Sequence, residues 1–402
     1  MDNVTMKCMK TEENEGRPSS SPPNRYQRVF LQSCLLMIFI FFICYTCVQI
    51  EYSRSTSMES YEWNLTNIVH GAMNRIRNAI PYATNERKSK LILLWTKYFS
   101  ESDWLPNTNE LQCPIKECVV TSDRSFLSRS SAVILHWRNV DPNDLPVCKY
   151  PNGAQTGKCP LLVLFNKEAP PHTPRERILP LKGKIHWTAT YRRDSDLYAS
   201  YGTILKKQKK YNFTGMERSR NPVCWLVSNC NTPSRREVYV QELKKYINVA
   251  VYGKCGTNKC PKTTSKECYR WLSKRCKFYL SFENSICTDY VTEKLFYALM
   301  NDMVPVVRGG ANYSEYLPPH SFINANEFSS PKRLAEWLAY LDRDEEQYLS
   351  YFKWKENYEA KDASYTWLCD LCEKLHVSST ESIKPYKNFI SWWFDKSNCV
   401  SL

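Results

Sequence analysis

The apolar and polar positions of the chain fall into three regimes. Val29 to Ile50, VFLQSCLLMIFIFFICYTCVQI, runs for twenty-two residues without a formal charge. At about 1.5 Å per residue, a helix of that length crosses a hydrocarbon core of about 30 Å. Its polar members, Gln32, Ser33, Thr46 and Gln49, lie mostly near its ends. Residues 51 to 88 are polar with little apolar periodicity, as a stem would be. Beyond them, starting at Leu91-Ile-Leu-Leu-Trp95, apolar runs alternate with amphipathic stretches. The runs predict strands at Ser131–His136, Leu161–Phe165, Cys224–Ser228, Val249–Tyr252, Phe278–Phe282 and Val304–Val307. The stretches between predict helices over Arg235–Tyr246, Val291–Met300 and Ser330–Leu341. Strands alternating with helices mean an α/β fold with parallel sheets. A basic, sequon-bearing stretch from Leu205 to Asn221 separates two such sets. It reads either as a linker between two domains or as a solvated loop.

Flanking charge orients the apolar segment. Arg25 and Arg28 precede it, while Glu51 and Arg54 cancel on the far side. The positive-inside tendency therefore leaves residues 1–28 in the cytosol, makes 29–50 a signal anchor and sends the remainder across the membrane. This topology decides how eighteen cysteines are read. Cys8, Cys34, Cys44 and Cys47 lie in the tail or the anchor, and the other fourteen, Cys113 to Cys399, face an oxidising lumen. An even number there predicts a disulfide framework rather than zinc sites, even for Cys113-x4-Cys118, Cys255-x4-Cys260 and Cys369-x-x-Cys372. Sequons at Asn64, Asn212 and Asn312 agree with a luminal setting, and the one at Asn3 should be silent. The 402 residues leave room for two domains, and 43% apolar with 24% charged residues is a globular composition. A net charge of +14 favours an anionic partner without choosing one. The luminal topology argues against nucleic acid.

Candidate chemistry concentrates between Lys277 and Gly310. A strand, KFYLSFEN, ends in Glu283 and Asn284, and a loop with Cys287 leads to a helix opening near Asp289 to Thr292. A second strand, MVPVV, ends in a double glycine. In open α/β sheets ligands gather where strand ends meet helix N-termini, and free N–H groups there favour a phosphate. Lys294 in the first turn opposes the helix dipole, so an anion nearby would explain its place. Read by themselves, Glu293 and Lys294 fit ordinary surface charges on an amphipathic helix equally well.

Three segments carry a resemblance to the α1,3-fucosyltransferases, glycosyltransferase family 10. They are Phe282–Phe328, Trp187–Leu197 with Tyr201-Gly202, and Val227–Arg236 with Val251-Tyr-Gly253. The resemblance spans about residues 90–375 and implies a GT-B arrangement, two Rossmann-like domains facing a cleft. It implies an N-terminal acceptor-binding domain over 89–210 and a GDP-fucose-binding domain over 211–365. Segment 366–402 would pack back on the first domain, with Cys113 and Cys118 tied to Cys369 and Cys372. The implied activity is inverting transfer of fucose from GDP-fucose to an N-acetylglucosamine hydroxyl, in the Golgi lumen.

Such a transfer needs a base for the acceptor hydroxyl and positive charge for the departing diphosphate. Glu168, in Asn166-Lys-Glu-Ala-Pro-Pro-His-Thr-Pro174, matches the family pattern for the base, with Asp194 or Asp196 as runner-up. For the diphosphate the resemblance points to Lys294 and to Arg235, with Arg236 one residue away as the alternative register. Tyr290, Glu283, Asn284 and Glu293 would hold the guanosine or fucose, and Tyr191 and Arg192 would order the cleft. Asp194-Ser-Asp196 has the form of a Mn²⁺ site, but cationic side chains already serve the phosphates. No obligatory metal is expected, with room left for Mn²⁺ stimulation. The cysteine-rich stretch Tyr252–Pro261, followed by Cys268 and Cys276, is similar to invertebrate enzymes acting on the innermost Asn-linked N-acetylglucosamine. Transfer to outer N-acetyllactosamine, or a glycan-binding protein on an inactive scaffold, are the alternatives. Ala199 and Ser200 before Tyr201, and Phe296, depart from the usual family residues.

Overall fold

The computed structural model describes residues 88–146, 159–207, 222–378 and 383–401. The expected tail, anchor, sequons at Asn64 and Asn212, and nearly all of the stem fall outside these residues. Asn312, of the third sequon, is exposed.

The first half of the chain forms a six-stranded sheet of β1 (Lys90–Leu94), β2 (Cys118–Thr121), β3 (Ala132–His136), β4 (Leu161–Asn166), β5 (Trp187–Thr190) and β6 (Leu197–Tyr198). A short helix, α1 (Arg175–Ile178), lies between β4 and β5. All pairings are parallel, in the order β2-β1-β3-β4-β5-β6. Successive side chains of a strand point to opposite faces. One face therefore buries Ile92, Leu94, Ile134, Val163 and Phe165 in one core, and the other buries Leu93, Val133, Leu135 and Leu164 in a second. Because both faces are covered, these strands read as continuous apolar runs.

A further strand, β7 (Gly202–Lys206), leaves this sheet. The second sheet contains β8 (Val223–Leu226), β9 (Val249–Tyr252), β10 (Phe278–Phe282), β11 (Val304–Arg308) and β12 (Ile323–Asn324). It is also parallel, in the order β12-β11-β10-β8-β9. The helices between its strands are α2 (Arg236–Leu243), α3 (Ser265–Ser273) and α4 (Glu293–Met300). After β12 come α5 (Pro331–Arg343) and α6 (Glu345–Ser350). The start of α5 is fixed locally: the Ser330 hydroxyl accepts from Arg333 N at 3.3 Å, and Pro331 takes the first turn.

The last strand, β13 (Tyr358–Asp362), pairs antiparallel with β7, so residues 202–206, expected within the first domain, join an element of the second half. Close packing fixes that junction. A Cβ at Gly202 would lie 2.2 Å from the Phe296 ring, so glycine is what admits this aromatic. The chain then returns to the first sheet. Helix α7 (Thr366–Val377) packs Trp367, Leu368 and Leu371 into one of its cores, and α8 (Phe389–Phe394) packs Phe389 and Trp393 into the other. Cys369 and Cys372, three apart on α7, present their thiols on one side. They form disulfides with Cys113 and Cys118. The thirteen described cysteines are all disulfide-bonded.

Beneath the C-terminal ends of β1 and β3 lies an aromatic cluster of Tyr98, Trp104, His136 and Phe165. His136 is only 3% exposed. Burial, aided by the Arg138 charge and opposed by the Asn139 hydrogen bond, lowers its pKa to about 4. The unfolded chain therefore binds a proton between about pH 6.5 and 4 that the folded chain excludes. Stability is full above that window and is lost as pH falls through it, by about 3 kcal/mol for this group. Urea unfolding at pH 7 and pH 4, compared with His136→Gln, measures the effect. A smaller loss is expected in the variant; equal losses would place the proton elsewhere.

Candidate active site

Both sheets have a point where successive connections leave in opposite directions, and ligands bind outside the strand C-termini at such points. In the second sheet it lies between β8 and β10, whose neighbours along the sheet diverge to β9 and β11. The chain leaving β8 turns through Thr232 and Ser234 into α2. Ser234 donates its hydroxyl to Glu283 O at 2.7 Å and its N–H to Asn284 O at 3.1 Å, tying this turn to the end of β10. Arg235 is the N-cap of α2, in the left-handed region at φ 45°.

The two adjacent arginines are thereby separated in role. Arg236 is 3% exposed, stands over the Trp225 ring, and donates to Phe282 O at 2.7 Å and Asn229 O at 3.3 Å. It is spent on holding strand ends. Arg235 is exposed and lines a cavity of about 540 Å³ with Tyr239, Lys245 and Arg308. Arg308, at the end of β11, donates to Ser234 O at 2.9 Å. In the same lining Lys245 pairs with Glu242, which leaves Arg235 as the guanidinium without a partner among the described residues, a chemistry suited to an anion.

At the start of α4 the structure supplies the anion that Lys294 calls for, and it is a protein carboxylate. Glu283 is 1% exposed. It accepts from Thr292 N and from the Thr292 hydroxyl, each at 2.9 Å, and lies 3.1 Å from Lys294 Nζ. Lys294 also donates to Thr292 Oγ1 at 2.7 Å and to Glu293 Oε1 at 3.2 Å. Burial pushes the Glu283 carboxyl up, and Lys294 opposes it. Burial alone would lower the Lys294 ammonium, but Glu283 and Glu293 more than offset it and hold it above its ordinary value. Glu293 is likewise held low by Lys294, against the effect of burial. Glu283 thus caps α4 and pairs Lys294, and its two oxygens are taken up by these contacts. Asn284, just past the same strand, has a buried Oδ1 without a partner among the described residues.

From the first sheet, the loop after β4 carries Glu168 towards this cluster. Asn166 orders the loop, its Oδ1 accepting from Glu168 N at 2.8 Å while its Nδ2 donates to Thr173 at 3.1 Å. Tyr290, 1% exposed and preceding α4, brings its hydroxyl to Glu168 Oε2 at 3.4 Å. Its ring stands edge-on to Tyr191 at 4.8 Å, and Tyr191 stands against Trp393 at 5.7 Å. Beside Glu168, Lys167 donates to Ser200 O at 3.0 Å and stands over the Tyr201 ring at 3.9 Å. Burial lowers its pKa to about 8, with the Glu293 and Asp362 charges acting the other way. His172 is held neutral chiefly by burial, and its buried Nε2 has no partner among the described residues.

The remaining expected residues lie away from this meeting point. Arg192 is 4% exposed and spends four N–H bonds internally, on both Asp194 oxygens, Trp392 O and Ser397 Oγ. It fastens the β5 loop to the C-terminal segment and offers no donor face. Asp194, the alternative base, is that arginine's partner and also accepts from Trp392 Nε1 at 2.9 Å. Asp196 accepts from Thr188 N at 2.8 Å and pairs with Lys374. The D-x-D is a pair of structural anchors. Sequence reasoning missed Lys167 and Tyr201 beside Glu168; only their flanking of Glu168 and Gly202 hinted at them. It also missed the closure of the Tyr290 loop by the chain end, through the Cys287–Cys399 disulfide and the Ile286↔Val400 bridge.

Residues 216–392 match the family described as glycosyltransferase family 10 (fucosyltransferase) C-term, and residues 87–202 match fucosyltransferase, N-terminal. Alpha-(1,3)-fucosyltransferase C of Drosophila melanogaster is 33% identical over 352 residues, covering 78% of this chain and 80% of that protein. The chain belongs to glycosyltransferase family 10. It is an α1,3/4-fucosyltransferase. This fucosyltransferase is also 36% identical over 301 residues to glycoprotein 3-alpha-L-fucosyltransferase A of Drosophila melanogaster, covering 72% of this chain and 57% of that protein. A 4-galactosyl-N-acetylglucosaminide 3-alpha-L-fucosyltransferase 9 of Bos taurus is 32% identical over 329 residues, covering 80% and 87%. Among solved structures, a crystal structure of an alpha1,3-fucosyltransferase with GDP-fucose aligns at 15% identity and a TM-score of 0.46, covering 74% of this chain and 93% of that one.

Proposed function

We propose that this fucosyltransferase moves fucose to the innermost, Asn-linked N-acetylglucosamine of N-glycans, in the Golgi lumen, anchored through residues 29–50. The observation that carries the mechanism is the Tyr290–Glu168 contact, which joins the carboxylate of the loop after β4 to the segment that leads into α4, where Lys294 stands. Glu168 takes the proton of the acceptor hydroxyl as its oxygen attacks the anomeric carbon of fucose. The bond from that carbon to the phosphate oxygen breaks, its electron pair leaves with GDP, and the configuration inverts. Arg235 and Lys294 meet the charge that develops on the leaving diphosphate. Glu293, 35% exposed, accepts from sugar hydroxyls. No metal is required in this reading.

Two features support the core acceptor. The cysteine-rich loop is pinned by Cys230–Cys255 and Cys260–Cys268, which gives a rigid rim next to β9. A relative named for glycoprotein substrates is 36% identical. The test offers the full-length chain, with GDP-fucose and EDTA, a core N-glycan glycopeptide and free N-acetyllactosamine side by side. Fucose on the Asn-linked sugar is expected. Fucose on lactosamine would overturn the acceptor, and an EDTA-abolished reaction would overturn metal independence. GDP binding without any product would favour a glycan-binding protein.

A further inference from the structure

We propose that a cavity of about 580 Å³ beside the C-terminal end of β1 is a subsite for the neutral oligosaccharide arm of the acceptor, the sugars beyond the one that receives fucose. The proposal rests on the reading that the acceptor is a glycan.

The lining sets the ligand class. Glu101, Asp103, Asn107 and Glu110 face the cavity with the rings of Trp104 and Tyr365, and no lysine or arginine takes part. In a chain of net charge +14 this is a local reversal of sign. Three carboxylates repel phosphate, so the diphosphate of the donor is excluded here. They are good acceptors for the hydroxyls of an uncharged sugar. The Glu101 carboxylate has no partner among the described residues, whereas Asp103 accepts from Ser122 at 2.6 Å and Glu110 from Asn107 Nδ2 at 3.2 Å. Tyr365, 44% exposed, offers a ring to the apolar C–H face of a pyranose. The volume falls within the range of about 300–1,000 Å³ usual for ligand pockets.

Position gives the second argument. The first sheet changes direction between β1 and β3, and the cavity is built by the loop that follows β1. Trp104 forms its wall and stacks on Tyr98 at 5.2 Å. Tyr98 in turn stands 6.2 Å, ring to ring, from Phe165 near the end of β4, the strand whose following loop carries Glu168. The rings of Trp104, Tyr98 and Phe165 thus run from the cavity wall to the strand that leads into the Glu168 loop. A glycan with its reacting sugar at Glu168 extends past Tyr98 into the cavity.

The test compares two acceptors on the full-length chain at saturating GDP-fucose: a core N-glycan pentasaccharide on asparagine, and N-acetylglucosaminyl-asparagine. Tyr365→Ala and Glu101→Gln are each expected to raise KM for the pentasaccharide, the former by about tenfold, equal to about 1.4 kcal/mol. The KM for GDP-fucose, kcat, and kcat/KM on the single sugar stay unchanged, and Tyr365→Phe behaves as wild type. Equal losses on both acceptors, or an unchanged pentasaccharide KM, would overturn the subsite. If the wild type acts on N-acetyllactosamine instead, the core reading fails, and the same split is read between one and two lactosamine units. If the wild type turns over neither, pentasaccharide binding to wild type and Tyr365→Ala is compared by saturation-transfer NMR, and equal binding would overturn the proposal.

Discussion

Glu168→Gln is expected to retain GDP affinity and to lower kcat by about 10²- to 10⁴-fold, the usual contribution of a general base. The amide keeps the size of the carboxylate and an oxygen for the Tyr290 hydroxyl, so the contact across the cleft persists. Its loop is held by Asn166 and Thr173 rather than by the carboxylate, so the fold should be indifferent to the change. What is lost is the capacity to take a proton. Isothermal titration with GDP and steady-state rates, measured on one preparation, separate the two effects. Turnover within a few-fold of wild type would remove Glu168 from the role. The base would then be sought at His172, which is kept neutral chiefly by burial. Asp194 and Asp196 are poor substitutes because Arg192 and Thr188 already occupy them.

Lys294→Ala carries the second large effect, and it is not confined to the donor. Removing the ammonium leaves Glu283, 1% exposed, as a buried carboxylate without its cation. Breaking a buried pair from one side typically costs about 3–5 kcal/mol. The Thr292 N–H and hydroxyl still bond the carboxylate, which places this case near the lower figure. A lone buried carboxylate binds a proton more tightly in the folded chain than in the unfolded one. The stability deficit should therefore shrink as pH falls toward the ordinary carboxylate range. Adding Glu283→Gln should restore much of the stability but not the donor affinity, because the positive charge for the diphosphate remains absent. Chemical unfolding and GDP titration of both variants check this. A Lys294→Ala protein as stable as wild type would show that the pair is not structurally needed. Full donor affinity in the double variant would end the phosphate role of Lys294.

The same lysine shows how far the sequence could be read. Its place in the first turn of α4 pointed to a nearby anion, and pattern alone raised only a ligand phosphate, whereas the fold also sets the Glu283 carboxylate beside it. Strand ends and helix starts are local, but which carboxylate meets a helix start depends on β10 and α4 folding against one another. Arg235 and Arg236 were indistinguishable in the sequence for a similar reason. A left-handed N-cap turns one guanidinium out, while the next residue is buried beneath Phe282 O.

What the sequence determined by itself was whatever depends on nearest neighbours and on burial. Six of the strands, Ala132–His136 and Leu161–Asn166 among them, were legible because a sheet covered on both faces requires unbroken apolar runs. The family was legible because its motifs are long and contiguous. The two-residue strands β6 and β12 went unread because so short a run leaves no pattern to count, and β5 because threonines interrupt its apolar residues. Only the tertiary structure decided that residues 202–206 pair with residues 358–362, and that Arg192 serves the chain end. It alone gathered Glu101, Trp104 and Tyr365 around one cavity. Those residues are separated by up to 264 positions, and no local preference encodes a meeting that the packing of α7 on the first sheet brings about.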